Sequence, residues 1–131
     1  MRIIETNSEN HKLLSLNLFK KEKMIIRLKT KQGIDLESKV ITGNRFGVSS
    51  QDEIVKLIKE LLYKALKQQL LISEIEVVHT HQKHKLSSGY WRIGEFSQRD
   101  LESAMYLKNL FNITLKLIIV SATGFSMEKS F

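Results

Sequence analysis

Through the first third of the chain, apolar and polar positions alternate. Leu14, Leu16 and Leu18 are separated by Ser15 and Asn17, and Ile26 and Leu28 alternate with Arg27 and Lys29. Successive side chains of a strand point to opposite faces, so this period predicts strands over 14–18 and 24–30. Lys31-Gln32-Gly33 reads as a turn, and 34–41 as a third strand. Gly43-Asn44 and Gly47 mark a loop.

The period changes at Ser50. Ile54, Ile58, Leu61, Leu62 and Ala65 recur at the spacing of one helix face, which predicts a helix from 51 to about 69. Ser50-x-x-Glu53 has the form of a capping box, in which the serine oxygen takes a free amide and the glutamate reaches back. A short apolar strand is expected over 75–79, then a loop rich in lysine, serine and glycine over 82–95. Leu101, Ala104, Met105, Leu107 and Phe111 predict a second amphipathic helix. The near-continuous apolar run 115–120 reads as a strand buried on both faces. Strand, helix and strand in this order normally make a right-handed unit within one sheet, so 75–79 and 115–120 are expected to be adjacent and parallel. The fold class is α+β, or mixed α/β: a twisted central sheet carrying two main helices.

Composition narrows the picture. With 131 residues, 42% of them hydrophobic, the chain can form one domain over 1–131 with its own core, and it is too apolar to be disordered. No proline, linker or repeat divides it. There is no cysteine, so any metal must be held by His, Asp, Glu or water, and a reducing compartment fits. No apolar stretch is long enough for a bilayer, and Met1-Arg2-Ile3-Ile4-Glu5 lacks the apolar segment of a signal peptide, so a cytoplasmic location is expected.

The formal charge of +7 favours acidic partners, nucleic acid among them. The densest basic run is Lys20, Lys21, Lys23, Arg27, Lys29 and Lys31. On strands it reads first as a solvated face or a guarded sheet edge. Interleaved aromatics and a helix basic on one face are both missing, so a nucleic-acid-binding domain ranks last among the functional readings.

The candidate chemistry lies between Glu76 and Asp100. His79-Thr80-His81 ends an apolar run, and Phe96-Ser97-Gln98-Arg99-Asp100 opens a helical pattern. Residues i and i+2 of a strand share a face, roughly 7 Å apart, close enough to hold one ion. A carboxylate from a neighbouring element would add a third ligand and leave a position for water, the design of a catalytic zinc. Each piece alone has an ordinary explanation. A His-x-His pair is commonly hydrogen-bonded on a strand, and Ser97-x-x-Asp100 also suits a helix N-terminus.

Taken together, His79, Thr80, His81, Ser97 and Asp100 resemble the motif of the JAMM metalloproteases, also called the MPN or Mov34 family: His-Ser/Thr-His-Pro, a short spacer, then Ser-x-x-Asp. The likeness spans residues 50–121, including the flanking helices and the 118–120 strand. It implies a cytidine-deaminase-like sandwich in which His79, His81 and Asp100 ligate Zn²⁺. The zinc would activate a water and polarise a scissile carbonyl. A glutamate would relay the proton to the leaving amine, and Ser97 would donate to the developing oxyanion. The implied reaction is amide hydrolysis of a protein or peptide substrate, including isopeptide bonds to a ubiquitin-like modifier. Two glutamates are open as the base: Glu22, preceding the 24–30 strand, is preferred to Glu9, preceding the 13–19 run.

The chain departs from the motif at three places. Gln82 stands where the family has proline, the spacer from His81 to Ser97 is longer, and the glycines that follow the family's glutamate are missing. These departures support an alternative: an inactive MPN-like scaffold that binds a protein partner. In the long spacer, His84, Tyr90 and Trp91 read either as loop packing, with Trp91 and Phe96 as anchors, or as a substrate flap.

Overall fold

The computed structural model describes residues 2–5, 23–42, 51–80, 84–85, 91–92, 96, 98–120 and 125–131. They form strands β1 (Arg2–Glu5), β2 (Lys23–Thr30), β3 (Leu36–Glu37) and β4 (Ile41–Thr42), helix α1 (Gln51–Lys67), and strands β5 (Ile72–Thr80), β6 (His84–Lys85) and β7 (Trp91–Arg92). Helix α2 (Gln98–Phe111) and strands β8 (Leu115–Val120) and β9 (Phe125–Ser130) complete the order. Seven strands make one sheet in the order β1-β9-β8-β5-β2-β3, with β4 also paired to β2. The fold is mixed α+β. The expected 14–18 strand, the Gly43–Gly47 loop and the Ser50 cap lie outside the described residues.

β5 and β8 are parallel neighbours, from Ile75 opposite Leu115 to Thr80 opposite Val120. The other pairings are antiparallel. Register decides the two faces. Met24, Ile26 and Leu28 lie opposite His79, Val77 and Ile75, and these in turn lie beside Ile119, Leu117 and Leu115. On this face one core cluster unites the strands with Ile54, Leu57, Ile58 and Leu61 of α1 and Ala104 and Leu107 of α2, so both helices cover the same side. Gln51 and Ser103 join the helices, the Ser103 hydroxyl donating to Gln51 Oε1 at 2.6 Å. Val78, Ile118 and Val120 pack on the opposite face with Ile25. Burial on both faces accounts for the unbroken apolar runs of β5 and β8.

Four features differ from the sequence pattern. The expected 34–41 strand is split into β3 and β4. Arg27 faces Glu37 but Met24 faces Ile41, three steps on β2 against four on its partner, so one extra residue bulges between them. Ser38 fills the break: its amide donates to the Ile26 carbonyl at 2.8 Å and its Oγ accepts from the Ile26 amide at 2.9 Å. Met105 is 46% exposed, because one residue turns the helix by about 100° away from buried Ala104. Within the 82–95 stretch, β6 and β7 pair as a small ribbon, His84 opposite Arg92. The edge strand β1 and its neighbour β9 had no counterpart in the reading of the sequence.

One member of the basic run, Arg27, departs from the expected solvated face, while Lys31 is exposed and Lys20 and Lys21 lie outside the described residues. β2 is an interior strand, and Arg27, expected on a solvated face, is only 3% exposed. Its Nε donates to Glu37 Oε1 at 2.9 Å and its Nη1 to Glu76 Oε1 at 3.0 Å. Burial, the largest single effect, would lower the Arg27 pKa, but the hydrogen bonds it donates to Glu37 and Glu76 and the charge of these carboxylates together outweigh it and hold the guanidinium above its ordinary value. Lys29 is held by Asp35 at 2.7 Å, and that bond raises its ammonium above the usual 10.5 against a smaller burial effect.

α1 places acids in its first turn and Lys64 and Lys67 in its last, complementing the helix dipole. It ends in a Schellman motif: Leu70 donates to the Ala65 carbonyl at 2.9 Å and Gln69 to Leu66 at 3.1 Å. Gln69 carries the left-handed φ of 57°, a conformation that costs a residue with a Cβ about 1–2 kcal/mol. Gln69→Gly is expected to raise stability by about 0.5–1 kcal/mol, after the greater entropy glycine loses on folding. Urea denaturation would show this as a higher midpoint at unchanged slope, and a lower midpoint would refute it.

Candidate metal centre

His79 is the penultimate residue of β5. The strand's alternation sends it to the helix-covered face with Ile75 and Val77, between Met24 of β2 and Ile119 of β8. Asp100 sits in the first turn of α2, where a carboxylate is favoured by the free amides and the dipole of the helix. The two elements bring His79 Nε2 to 3.9 Å from Asp100 Oδ1, with side chains 5% and 17% exposed. That distance is beyond a hydrogen bond. It is close to the roughly 3.4 Å that separates two ligands of one tetrahedral zinc with bonds of about 2.0–2.1 Å. An imidazole and a carboxylate from different elements, one buried and one reaching water, are a donor pair that suits zinc.

Among the described residues no group of three potential ligands assembles. His81, the third member of the expected set, lies outside them, as do Ser97, Glu22 and Glu9. The donor pair therefore fits the metal as far as it is described.

Thr80 adds a connection that sequence reasoning did not assign. It is fully buried, and its Oγ1 accepts the Lys23 amide at 2.9 Å. With Met24 directly opposite His79, the start of β2 lies against His79 and Thr80. Phe96 packs partly buried against the main core, as an anchor before α2 should. The Glu37–Arg27–Glu76 bridge on the other face was also missed. Its only sequence signal is the two-residue spacing of charges in β2 and β5.

A mixed sheet with two helices on one face, and a histidine–aspartate pair where a strand end meets a helix start, define the class as an α+β domain with a candidate metal-binding site. Comparison with known proteins finds no matching family model, no matching characterised protein and no matching solved structure. No helix of the described residues is long and apolar enough to cross a membrane.

Proposed function

We propose that this chain is a JAMM-like zinc peptidase or isopeptidase that hydrolyses amide bonds, the isopeptide link to a ubiquitin-like modifier being the substrate class the motif implies. The observation that carries the proposal is the approach of His79 Nε2 and Asp100 Oδ1 to 3.9 Å, from two segments that share the family's motif order. In this reading His79, His81 and Asp100 hold the ion. When bound, zinc supplies a polarising charge at the scissile carbonyl and an acidified water.

The chain's own residues do the rest. Glu22 takes the water's proton and passes it to the leaving amine. The Lys23–Thr80 hydrogen bond supports Glu22 over Glu9, since it anchors the residue next to Glu22 beside the histidine segment. Ser97 donates to the carbonyl oxygen as charge develops there. The inactive scaffold is the second reading, favoured by Gln82 in place of the family's proline.

Metal analysis of protein purified without chelators tests the proposal. About one zinc per chain is expected, and His79→Ala should lose it with helix content unchanged in circular dichroism. The apolar core that holds α1 and α2 does not depend on the ion. A metal-free protein, or equal zinc in His79→Ala, would sink the peptidase and leave the scaffold.

A further inference from the structure

Helix α2 carries Asp100 in its first turn, but its buried residues, Ala104 and Leu107, lie further along. Gln98, Arg99 and Glu102 are exposed, and Asp100 and Leu101 are only partly covered. Asp100, Ser103, Ala104 and Leu107 follow the spacing of one helix face. Apolar burial is non-directional, so Ala104 and Leu107 keep the helix on the sheet but resist sliding along its axis less well. A slip of one residue moves Asp100 by about 1.5 Å, whereas metal–ligand distances tolerate only about 0.2 Å. A directional contact nearer to Asp100 removes that freedom.

Gln51, the first residue of α1, supplies it. The Ser103 hydroxyl donates to Gln51 Oε1 at 2.6 Å, and Gln51 Nε2 donates to the Ser103 carbonyl at 3.5 Å. Both ends of one carboxamide therefore meet one residue, three positions after Asp100 and on the same face. α1 is a firm reference. It buries Ile54, Leu57, Ile58, Leu61 and Ala65, and the first four share a core with Ile75 and Val77 of β5, the strand that carries His79. The Gln51–Ser103 clamp thus ties the helix of Asp100 to the body that holds His79.

We propose, on the metal reading of the His79–Asp100 pair, that Gln51 is a positioning residue for that centre: through Ser103 it fixes α2 so that Asp100 stands at His79. Neither Gln51 nor Ser103 is a ligand in this arrangement. They act on where the Asp100 carboxylate is held, which no contact within α2 can do. Gln98 shows the contrast: its Nε2 donates to Glu102 at 3.1 Å, a bond inside one helix that places no constraint on where the helix lies.

The test is a titration of the metal-free full chain with Co²⁺, whose visible absorption reports both occupancy and ligand geometry. Ser103→Ala and Gln51→Ala are each expected to weaken Co²⁺ binding about tenfold, the low end for residues that hold metal ligands in place, and to alter the absorption of the bound ion. The double variant should bind no more weakly than either single one, since each removes the whole clamp. Ser103→Thr keeps the hydroxyl and should bind Co²⁺ with the affinity and spectrum of the unaltered chain. Gln98→Ala should leave both unchanged. Gln51 and Ser103 are partly exposed, so these variants keep the core, which thermal unfolding of the metal-free forms checks.

Co²⁺ bound by Ser103→Ala and Gln51→Ala as tightly as by the unaltered chain overturns the role and leaves the metal centre standing. Losses in Ser103→Thr or Gln98→Ala as large as in Ser103→Ala also overturn it, because they reduce the effect to a general loosening of α2. No Co²⁺ uptake by the unaltered chain removes the metal centre and this role with it.

Discussion

Arg27→Ala is expected to remove about 3–5 kcal/mol of folding stability, the loss typical when one member of a buried ion pair is deleted. A domain has only about 5–15 kcal/mol in total. Arg27 lies on an interior strand with Glu37 opposite on one side and Glu76 on the other. Its two carboxylate bonds, 2.9 and 3.0 Å, make one bridge across three strands. The partners will respond differently to its loss. Glu37 is 42% exposed and can return to water, whereas Glu76 is 9% exposed. Lys116 is next to Glu76 in register, but its Nζ reaches Glu74 at 3.4 Å. Without the guanidinium, Glu76 keeps a charge on a face it shares with buried Val78 and Ile118, where desolvation is costly. The double variant Arg27→Met/Glu76→Leu should recover most of the loss, because removing both charges removes the desolvation penalty with them. Urea denaturation of both single variants and the double one measures this. An Arg27→Ala loss below about 1 kcal/mol, the value of an exposed pair, would show that the bridge does not hold the sheet.

That bridge marks where the sequence stops being legible. The two-residue period assigned Ile26 and Leu28 to the core, and the helical period assigned Ile54, Ile58 and Leu61, because those patterns follow from backbone geometry alone. The parallel β5–β8 pair was legible for the same reason: both runs are apolar and a helix lies between them. Arg27 is another matter. Its alternation with Ile26 and Leu28 fixes the face it is on but not whether that face is covered, and only register reveals Glu76 as its partner. The break at Ser38 was hidden because it depends on a hydroxyl meeting the Ile26 amide of another strand. β9 carries a short mixed pattern, and its strand form follows from pairing with β8. For the candidate site, the sequence set the parity of His79 and the helix-start position of Asp100. The 3.9 Å between them comes from α2 packing on the sheet, and no spacing within the chain encodes that distance.

Glu22→Gln is expected to slow amide hydrolysis by about 10²–10⁴-fold, the contribution of a general base, while zinc content stays the same. The amide preserves the size of the carboxylate but cannot accept the proton that must leave the attacking water. In the proposed site the ion is held by His79, His81 and Asp100, so Glu22 is free of first-hand responsibility for metal affinity. This separation of rate from metal content distinguishes a base from a ligand. β2 supplies the reason for choosing Glu22. The strand begins one residue later, its first amide is bonded to Thr80 at 2.9 Å, and its second residue faces His79. Glu9→Gln is the comparison, and Ser97→Ala should cost about 10²–10³-fold in turnover, as loss of one oxyanion donor does. Single-turnover cleavage of an isopeptide-linked ubiquitin-like substrate, with zinc measured on the same samples, tests all three. If Glu9→Gln is silent and Glu22→Gln is inactive with full zinc, Glu22 is the base; the reverse pattern transfers the role to Glu9. Unchanged cleavage in both variants would remove Glu22 and Glu9 from the role of base, and no cleavage by the unaltered zinc-loaded chain would end the peptidase proposal.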